Sequence, residues 1–505
     1  MDTSFDFRDL FILDLANNHQ GRVDHALRVI SECGIVAADN GVRAALKFQF
    51  RQLDTFVHPS HRIDSGNKHI PRFLATALSK ADYGRLSDAV RAAGMLPMAT
   101  PFDEASVDLI EELAIEVVKI ASCSANDWPL LERVALQNRP VIVSTGGLAL
   151  ESIDDVVSFL DHRRVHFALM HCVSLYPTPD ADLQLNQIGV IRRRHPEKVV
   201  GFSTHEEPGN TSAVQVAVAK GATILERHVG IETDSIRLNT YSSTPAQLDA
   251  WIKAALTARR MCGSEKRACV AQELDALRSL QRGIFATAPI AAGALIRRQD
   301  VYFAMPIMPG ALSSGQWREG MSAKDDIAQD AAVTLTNVQV PPENPRNVLF
   351  QAIHAVKAML NEARIALPTD FKLEFSHHYG IERFREVGAV LIDCVNREYC
   401  KKLVVQLPAQ RHPNHYHKRK EETFQVLSGV LEAEVEGRLR RLYPGDTIVV
   451  PQGVWHSFWT DTGVIFEEIS STHYSDDSFY EDKRINAMQK DERKTLVTQW
   501  GRYQL

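Results

Sequence analysis

Cysteine is scarce in this sequence: seven thiols are scattered over 505 residues, odd in number and without a CxxC pair. That excludes a disulfide-stapled secreted scaffold and reads as reduced thiols in a cytoplasmic protein. No uninterrupted apolar run approaches the roughly 20 residues that a membrane span needs. The opening MDTSFDFRDL has neither the basic start nor the apolar core of a signal peptide. There is no basic surplus. The formal net charge is -6 with both signs interspersed, so the concentrated basic face of a nucleic-acid binder is missing. No GxGxxG turn follows the first apolar run, which counts against a dinucleotide-binding sheet.

What remains is the composition of a soluble globular enzyme, with 45% hydrophobic and 24% charged residues. The length exceeds what one hydrophobic core serves and implies two to four domains. From Phe11 to about Gly263, short apolar runs alternate with amphipathic stretches. The runs are FILDLA (11–16), AALKFQ (44–49), LPMATPF (96–102), VVKIAS (117–122), VIVSTG (141–146), FALMHC (167–172), VVGFST (199–204) and TILERH (223–228). Runs this short, continuous and rich in β-branched residues are expected of parallel strands buried on both faces. Between them, Asp103 is placed to cap a helix, Gly94 to end one, and Thr244-Pro245 to open one. Eight strands alternating with helices over about 250 residues match a closed (β/α)8 barrel, with an open doubly wound sheet as the competitor.

Residues 264–343 change character. RGIFATAPIAAGALIRRQDV and GMSAKDDIAQDAAVTLTNV share a pattern of β run, turn and β run, which suggests a small β-rich module with internal pseudo-repetition. The linker VPPENPRN (340–347) is expected to be extended and exposed. From 344 to 505, a helix over VLFQAIHAVKAMLNEA precedes many short strands separated by Gly, Pro and Asp turns, as in an all-β sandwich or barrel.

In a barrel of this kind, functional groups gather at the C-terminal ends of the strands. There the runs carry Asp14 and Asn17, Lys47 and Gln49, Thr100, Lys119 and Ser122, Ser144 and Thr145, His171, Ser203 and His205, and Glu226 and His228. Two lysines with serine and threonine hydroxyls suit a small anion bearing phosphate and carboxylate. Two neutral imidazoles on adjacent strands suit a divalent transition metal, which can polarise an aldehyde.

The segments DLANNHQG, LKFQ, ATPFD, KIAS, VSTGG, HCVSLYPTP, GFSTH and ILERH, in that order over about residues 10–260, resemble the N-acetylneuraminate (sialic acid) synthases. The resemblance implies condensation of phosphoenolpyruvate with an aldose to a 3-deoxy-2-ulosonic acid and phosphate. It places phosphoenolpyruvate on Lys47, Gln49, Thr100, Lys119, Ser122, Ser144, Ser174 and Ser203. It places a divalent metal (Mn, Mg or Co) on His205 and His228, and counts Asp14, Lys47, Lys119 and both histidines as catalytic. The sugar falls to Ser124, Tyr176 and Asn239. Residues 264–343 resemble the family's antifreeze-like (SAF) domain, which in relatives caps the barrel of a partner subunit, and this implies a homodimer. Four departures lie on the sugar side: Ser124 and Asn239 replace carboxylates, Asp14 replaces a glutamate, and Met308 replaces the arginine that reaches the acceptor's N-acetyl group. These departures suggest an aldose other than N-acetylmannosamine, a neutral sugar lacking the acetamido group, with neutral drift and the usual substrate retained as the alternative.

In the third unit, RHPNHYHKRKEETFQVLSG and PGDTIVVPQGVWHSFW resemble the two motifs of the cupin superfamily. Alternation puts His415 and His417 on one face of a strand. With Glu422 and His456 they form a set for a divalent metal (Zn, Mn, Fe or Ni), Glu421 being the alternative carboxylate on the opposite face. Glu467, Glu468, His473 and Tyr480 are further pocket candidates. The spacing resembles D-lyxose isomerase-like enzymes, so the cupin is expected to be a metal-dependent sugar isomerase or, alternatively, a sugar-binding module. Two rival readings of the whole chain follow: the cupin as main catalyst beside a degenerate barrel, or a sugar-sensing protein with both sites decayed. Intact Lys47, Lys119, His205 and His228 oppose both.

Overall fold

The computed structural model describes residues 5–63, 65–265, 269–474 and 476–497. Backbone proximity divides the chain into two compact units, Met1–Arg267 and Ala268–Leu505. In the first unit the eight runs form parallel strands β1 (Leu10–Asp14), β2 (Arg43–Phe50), β3 (Leu96–Pro101), β4 (Val117–Ile120), β5 (Val141–Ser144), β6 (Phe167–Cys172), β7 (Val200–Thr204) and β8 (Ile224–His228). They pair in chain order and close, β8 on β1, so the architecture is the (β/α)8 barrel and not the open sheet. The expected helix boundaries hold. Asp103 accepts a hydrogen bond from the Ser106 amide at 2.8 Å, Thr244 and Gln247 cap the helix Pro245–Cys262 reciprocally, and Gly94, at φ +76°, follows the helix Lys80–Ala92.

Period two along each strand sorts the side chains. Leu10, Ile12, Ala45, Met98, Val117, Ile142, Ala168, Met170 and Ile224 pack together inside the barrel. Phe11, Leu46, Phe48, Val118, Val143, Leu169, Phe202 and Leu225 face the helices, where fully buried Trp251 meets Phe11 edge-on. One step further toward the C-terminal ends, the inward positions are Asp14, Lys47, Thr100, Lys119, Ser144, Cys172, Ser203 and Glu226. The apolar filling thus gives way to a polar layer at the mouth, and this change of layer positions the site.

The second unit begins with the helix Ala271–Leu280, which buries none of its residues and which the β-rich reading of 264–343 missed. Strands β9 (Gly283–Ala286), β10 (Val301–Ala304), β11 (Ser322–Ala323) and β12 (Val338–Gln339) follow. The two pseudo-repeats meet through the antiparallel bridges Phe285↔Ala332, Ile290↔Ile327 and Leu295↔Ser322. They enclose a core of Ile284, Ile296, Val301, Met321 and Val333. The expected extended linker is shorter than the sequence implied. Asn344 accepts from the Arg346 amide at 2.9 Å and Pro345 occupies the first turn, so the helix Pro345–Glu362 already claims residues 345–347.

After that helix come β13 (Lys372–Ser376), β14 (Ala389–Asn396), β15 (Tyr399–Gln406), β16 (Arg411–Tyr416), β17 (Glu422–Gly429), β18 (Leu431–Val435), β19 (Arg438–Leu442), β20 (Thr447–Val450), β21 (His456–Trp459), β22 (Val464–Ser471), β23 (Phe479–Tyr480) and β24 (Lys494–Val497). They form a seven-stranded sheet, β20-β17-β22-β15-β14-β13-β24, and a five-stranded sheet, β19-β18-β21-β16-β23. Phe424, Val426, Leu431, Phe458 and Phe466 fill the space between the sheets, and the helix Pro345–Glu362 packs Ile353 and Val356 with Phe375 and Ile392. This is the all-β cupin arrangement.

Gly201 shows how tightly the barrel closes. A Cβ there would sit 2.6 Å from both the backbone oxygen and the Cβ of Ile224 on β8. Gly201→Ala is expected to destabilise the barrel by about 1–3 kcal/mol through overpacking. The check is a lower denaturant midpoint for the barrel's unfolding; an unchanged midpoint would refute the close approach.

Candidate active site and metal centre

At the barrel mouth, two buried lysines share one carboxylate. Glu226 Oε1 accepts from Lys47 Nζ at 2.8 Å and from Ser203 Oγ at 3.0 Å, and Glu226 Oε2 lies 3.2 Å from Lys119 Nζ. Lys47 also pairs with Asp14 Oδ2 at 3.0 Å, and Lys119 donates to Ser144 Oγ at 2.6 Å. These groups meet because Asp14 is level with Lys47 on one side of β1 and with His228 on the other. Burial pushes the Asp14 carboxyl up, but Lys47 and His228 outweigh it and hold the group below its usual value. Burial is likewise overcome at Glu226, by Lys119 and Lys47. Burial lowers the Lys119 ammonium, opposed by Glu226 and reinforced by Lys47. Lys47, between two carboxylates, is raised despite its burial.

The remaining expected anion-binding residues surround this quartet. Gln49 donates to Asp14 Oδ2 at 3.4 Å and accepts from Arg51 at 3.0 Å. Thr100 is buried with its hydroxyl unpaired. Ser122 and Ser174 line a recess over Gly146, where a Cβ would lie 2.9 Å and 2.7 Å from their hydroxyls and 2.7 Å from Cys172 Sγ. The Gly146 amide donates to Ser122 at 3.0 Å.

The imidazoles of His205 and His228 lie 5.4 Å apart, centre to centre. His205 donates Nδ1–H to the Val173 carbonyl at 3.0 Å, leaving Nε2 as a lone pair. His228 Nε2 is 3.4 Å from Asp14 Oδ2, and its buried Nδ1 has no partner. Burial and the neighbouring His228 push His205 down to about 3, so it is neutral at ordinary pH. Two neutral imidazoles, an unpaired ring nitrogen and an adjacent carboxylate fit a divalent transition ion.

The sugar side is less convergent. The Tyr176 ring lies 4.2 Å from that of His205, tilted by 47°. Tyr241, which the sequence did not single out, lies 5.2 Å from both Tyr176 and His228. Ser124 is buried with Cys123 Sγ at 3.9 Å as its hydroxyl contact, and Asn239 accepts from the Tyr241 amide. Neither makes a hydrogen bond to the charged quartet. Two further strand-end readings are corrected. His171 faces the helices, stacked on Phe202 and bonded to the Leu183 carbonyl, because Met170 and Cys172 are the inward residues of β6. Glu226 carries more of the site than its place among the strand-end residues suggested. The signal was present: it lies two residues before His228 and shares its face.

In the cupin, His415, His417 and His456 each offer a nitrogen within 4.8 Å of the others. Their Nδ1 atoms are held by the backbone carbonyls of Pro413 at 3.0 Å, Asp477 at 2.6 Å and Val454 at 3.1 Å. That fixes the tautomer and leaves Nε2 free on all three rings. Glu422 completes the set, 3.3 Å from His417 Nε2 and 3.1 Å from His456 Nε2; Glu421 is exposed. Burial pushes the Glu422 carboxyl up, but an ion pair with Lys420 and the two imidazoles hold it well below its usual value. Such a donor set fits a divalent ion with positions left for a ligand. Glu468, His473 and Tyr480 line the same cleft, whereas Glu467 has the opposite parity and pairs with Lys401 at 2.6 Å.

The comparisons with known proteins agree with this two-part architecture. The sequence pattern of the NeuB family matches residues 35–267, and that of the cupin domain matches residues 402–467. A crystal structure described as a spore coat polysaccharide biosynthesis protein E from Chromobacterium violaceum is 42% identical. It superposes with a TM-score of 0.63 over 66% of this chain and 100% of its own. The spore coat polysaccharide biosynthesis protein SpsE of Bacillus subtilis is 29% identical over 65% of this chain and 92% of its own. The N-acetylneuraminate-9-phosphate synthase of Mus musculus is 26% identical over 56% of this chain and 79% of its own. The chain belongs to the NeuB family, and a cupin domain follows its barrel.

Proposed function

We propose that the barrel condenses phosphoenolpyruvate with an aldose, giving a 3-deoxy-2-ulosonic acid and inorganic phosphate. The observation that carries this is the charge-balanced quartet of Asp14, Lys47, Lys119 and Glu226 beside an imidazole pair, under a rim of hydroxyls. Lys47 and Lys119, with Gln49, Thr100, Ser122, Ser144, Ser174 and Ser203, hold the phosphate and carboxylate. A divalent ion (Mn, Mg or Co) on His205 and His228 supplies Lewis-acid polarisation of the aldehyde. The C=C electron pair of phosphoenolpyruvate forms the new bond from C3 to the aldehyde carbon. The aldehyde oxygen takes a proton, water adds at C2, and the C2–O bond to phosphate breaks to leave the ketone. The fixed ammonium groups stabilise the charge that builds on the anion. The mouse relative is an N-acetylneuraminate-9-phosphate synthase by name, which supports the reaction class.

Ser124, Tyr176 and Asn239 face the sugar. With Met308 replacing an arginine, they favour a neutral aldose without an acetamido group. The cupin holds its own divalent ion (Zn, Mn, Fe or Ni) on His415, His417, Glu422 and His456, and takes a sugar as an isomerase or binding module. The chain works in the cytoplasm in three parts: the barrel to residue 263, an SAF-like module over 264–343, and the cupin from 344. Among the described residues no helix is long and apolar enough to cross a membrane. The SAF-like module caps the barrel of a second copy. The helix Ala271–Leu280, with Leu274, Leu277 and Leu280 each about half exposed or more, offers an apolar stripe for that copy to cover.

Three outcomes test this reading. Lys119→Met is expected to cut phosphate release from phosphoenolpyruvate by about 10²–10³-fold, the usual loss when a fixed electrostatic group is removed, with the circular dichroism unchanged. Glu226→Gln leaves two buried ammonium groups with one carboxylate between them, and is expected to weaken phosphoenolpyruvate binding as well as lower the barrel's stability; wild-type values of both would refute the hub role. Across a panel of aldoses, N-acetylmannosamine is expected to be a poor acceptor, and its turnover above all others would overturn the assignment of the sugar.

A further inference from the structure

The charges of the cupin cleft exceed what a neutral sugar needs. The cleft holds about 470 Å³ of atom-free space, part of it open to solvent, and it is lined by three lysines as well as His415, His417 and Glu422 of the metal-binding set. Strand register puts a row of charge across the inner face of the larger sheet: Glu468 on β22 is opposite Lys402 on β15, which is opposite Asp393 on β14. Lys420 is held by Glu422 and by Glu468 at 2.8 Å, and Lys494 by Glu374 at 2.6 Å. Lys402 differs. Its side chain is 4% exposed, it has an ion pair with Asp393 at 3.3 Å, and it makes no hydrogen bond among the described residues. An ammonium with three donors is thus buried in the wall of the cleft with most of its hydrogen-bonding capacity unused.

The three lysines are matched by Glu374, Glu422 and Glu468 in the lining, and Asp393 pairs with Lys402 as well. A divalent ion on the three imidazoles and Glu422 would add two positive charges to a wall whose lysines are already matched by carboxylates. Buried charge without a counter-charge is strongly unfavourable, so the ligand is the natural place for the compensation. An ammonium with unused donors in the same cleft as a metal position matches a carboxylate. A phosphate normally recruits an arginine fork or a nest of amides.

We propose that the cupin cleft takes an anionic sugar acid, whose carboxylate lies between the metal position and Lys402, and not a neutral aldose or ketose. This rests on the reading of the cupin as a metal-dependent sugar site. It narrows the substrate class to sugar acids, the class to which the barrel's proposed product also belongs.

The test uses the full chain carrying His228→Ala, so that the barrel pair does not contribute to the spectrum, titrated with Co(II) and followed by its visible absorption. Galacturonate and N-acetylneuraminate are then compared with galactose, N-acetylmannosamine and galactose 6-phosphate. At least one of the two acids is expected to shift the Co(II) bands and to bind at least tenfold tighter than its neutral counterpart. Lys402→Met is expected to lose at least tenfold in that acid's affinity with Co(II) affinity unchanged, and Lys402→Arg to restore it. Equal binding of neutral and acidic sugars, no binding of either acid, or insensitivity to Lys402→Met would overturn the proposal. A phosphate ester binding as tightly as the acids would overturn the carboxylate assignment. No Co(II) spectrum sensitive to His415→Ala would instead remove the metal reading itself.

Discussion

Two ammonium groups buried within reach of one carboxylate set the terms for the barrel. An isolated lysine in such a place would lose several kcal/mol of solvation or give up its proton. Here Lys47 and Lys119 keep company with Asp14 and Glu226, so the wall is neutral before any ligand arrives. Glu226 is the shared member: its two oxygens take Lys47, Lys119 and Ser203, which come from β2, β4 and β7, while Glu226 itself comes from β8. The quartet therefore couples the chemistry to closure of the barrel. If β8 did not pair with β1, Lys47 would lose a partner 179 residues away in sequence and would face Lys119 with too little negative charge between them.

Strand parity explains which parts of this were legible from the residues. The eight runs could be read because strands buried on both faces leave an unbroken apolar signature. The polar end positions stood out because nothing in packing calls for lysine or histidine there. Where the reading failed, it failed on parity. His171 was grouped with mouth residues although Cys172, not His171, shares the inward face with Met170. Glu467 was grouped with Glu468 although neighbours on a strand point to opposite faces. Arg227, flanked by the inward Glu226 and His228, turns outward to Glu206 at 3.2 Å and Ser243 at 2.6 Å for the same reason. Counting in twos from His228 would have given Glu226 its role.

Other features could not be counted out in this way. The helix Ala271–Leu280 buries nothing, so no core pattern announces it. The shortened linker depends on one side chain, Asn344, competing for the helix start. The sugar side stayed vague because its residues sit on loops after the strands, where Ser124 and Asn239 bond to their own neighbours and the conformation follows no short period.

The two sites obey the same electrostatic logic on unrelated scaffolds. Each has lysines neutralised by glutamate or aspartate, imidazoles whose outer nitrogens are in part tied to backbone carbonyls, and carboxylates held ionised against burial by the cations beside them. A wall that is neutral when empty becomes positive once a divalent ion enters, and only an anion restores the balance without exposing the site to water. In the barrel that argument fits the phosphorylated carboxylate proposed as its substrate. In the cupin, where Lys402 keeps unused donors, it fits the carboxylate proposed for that cleft.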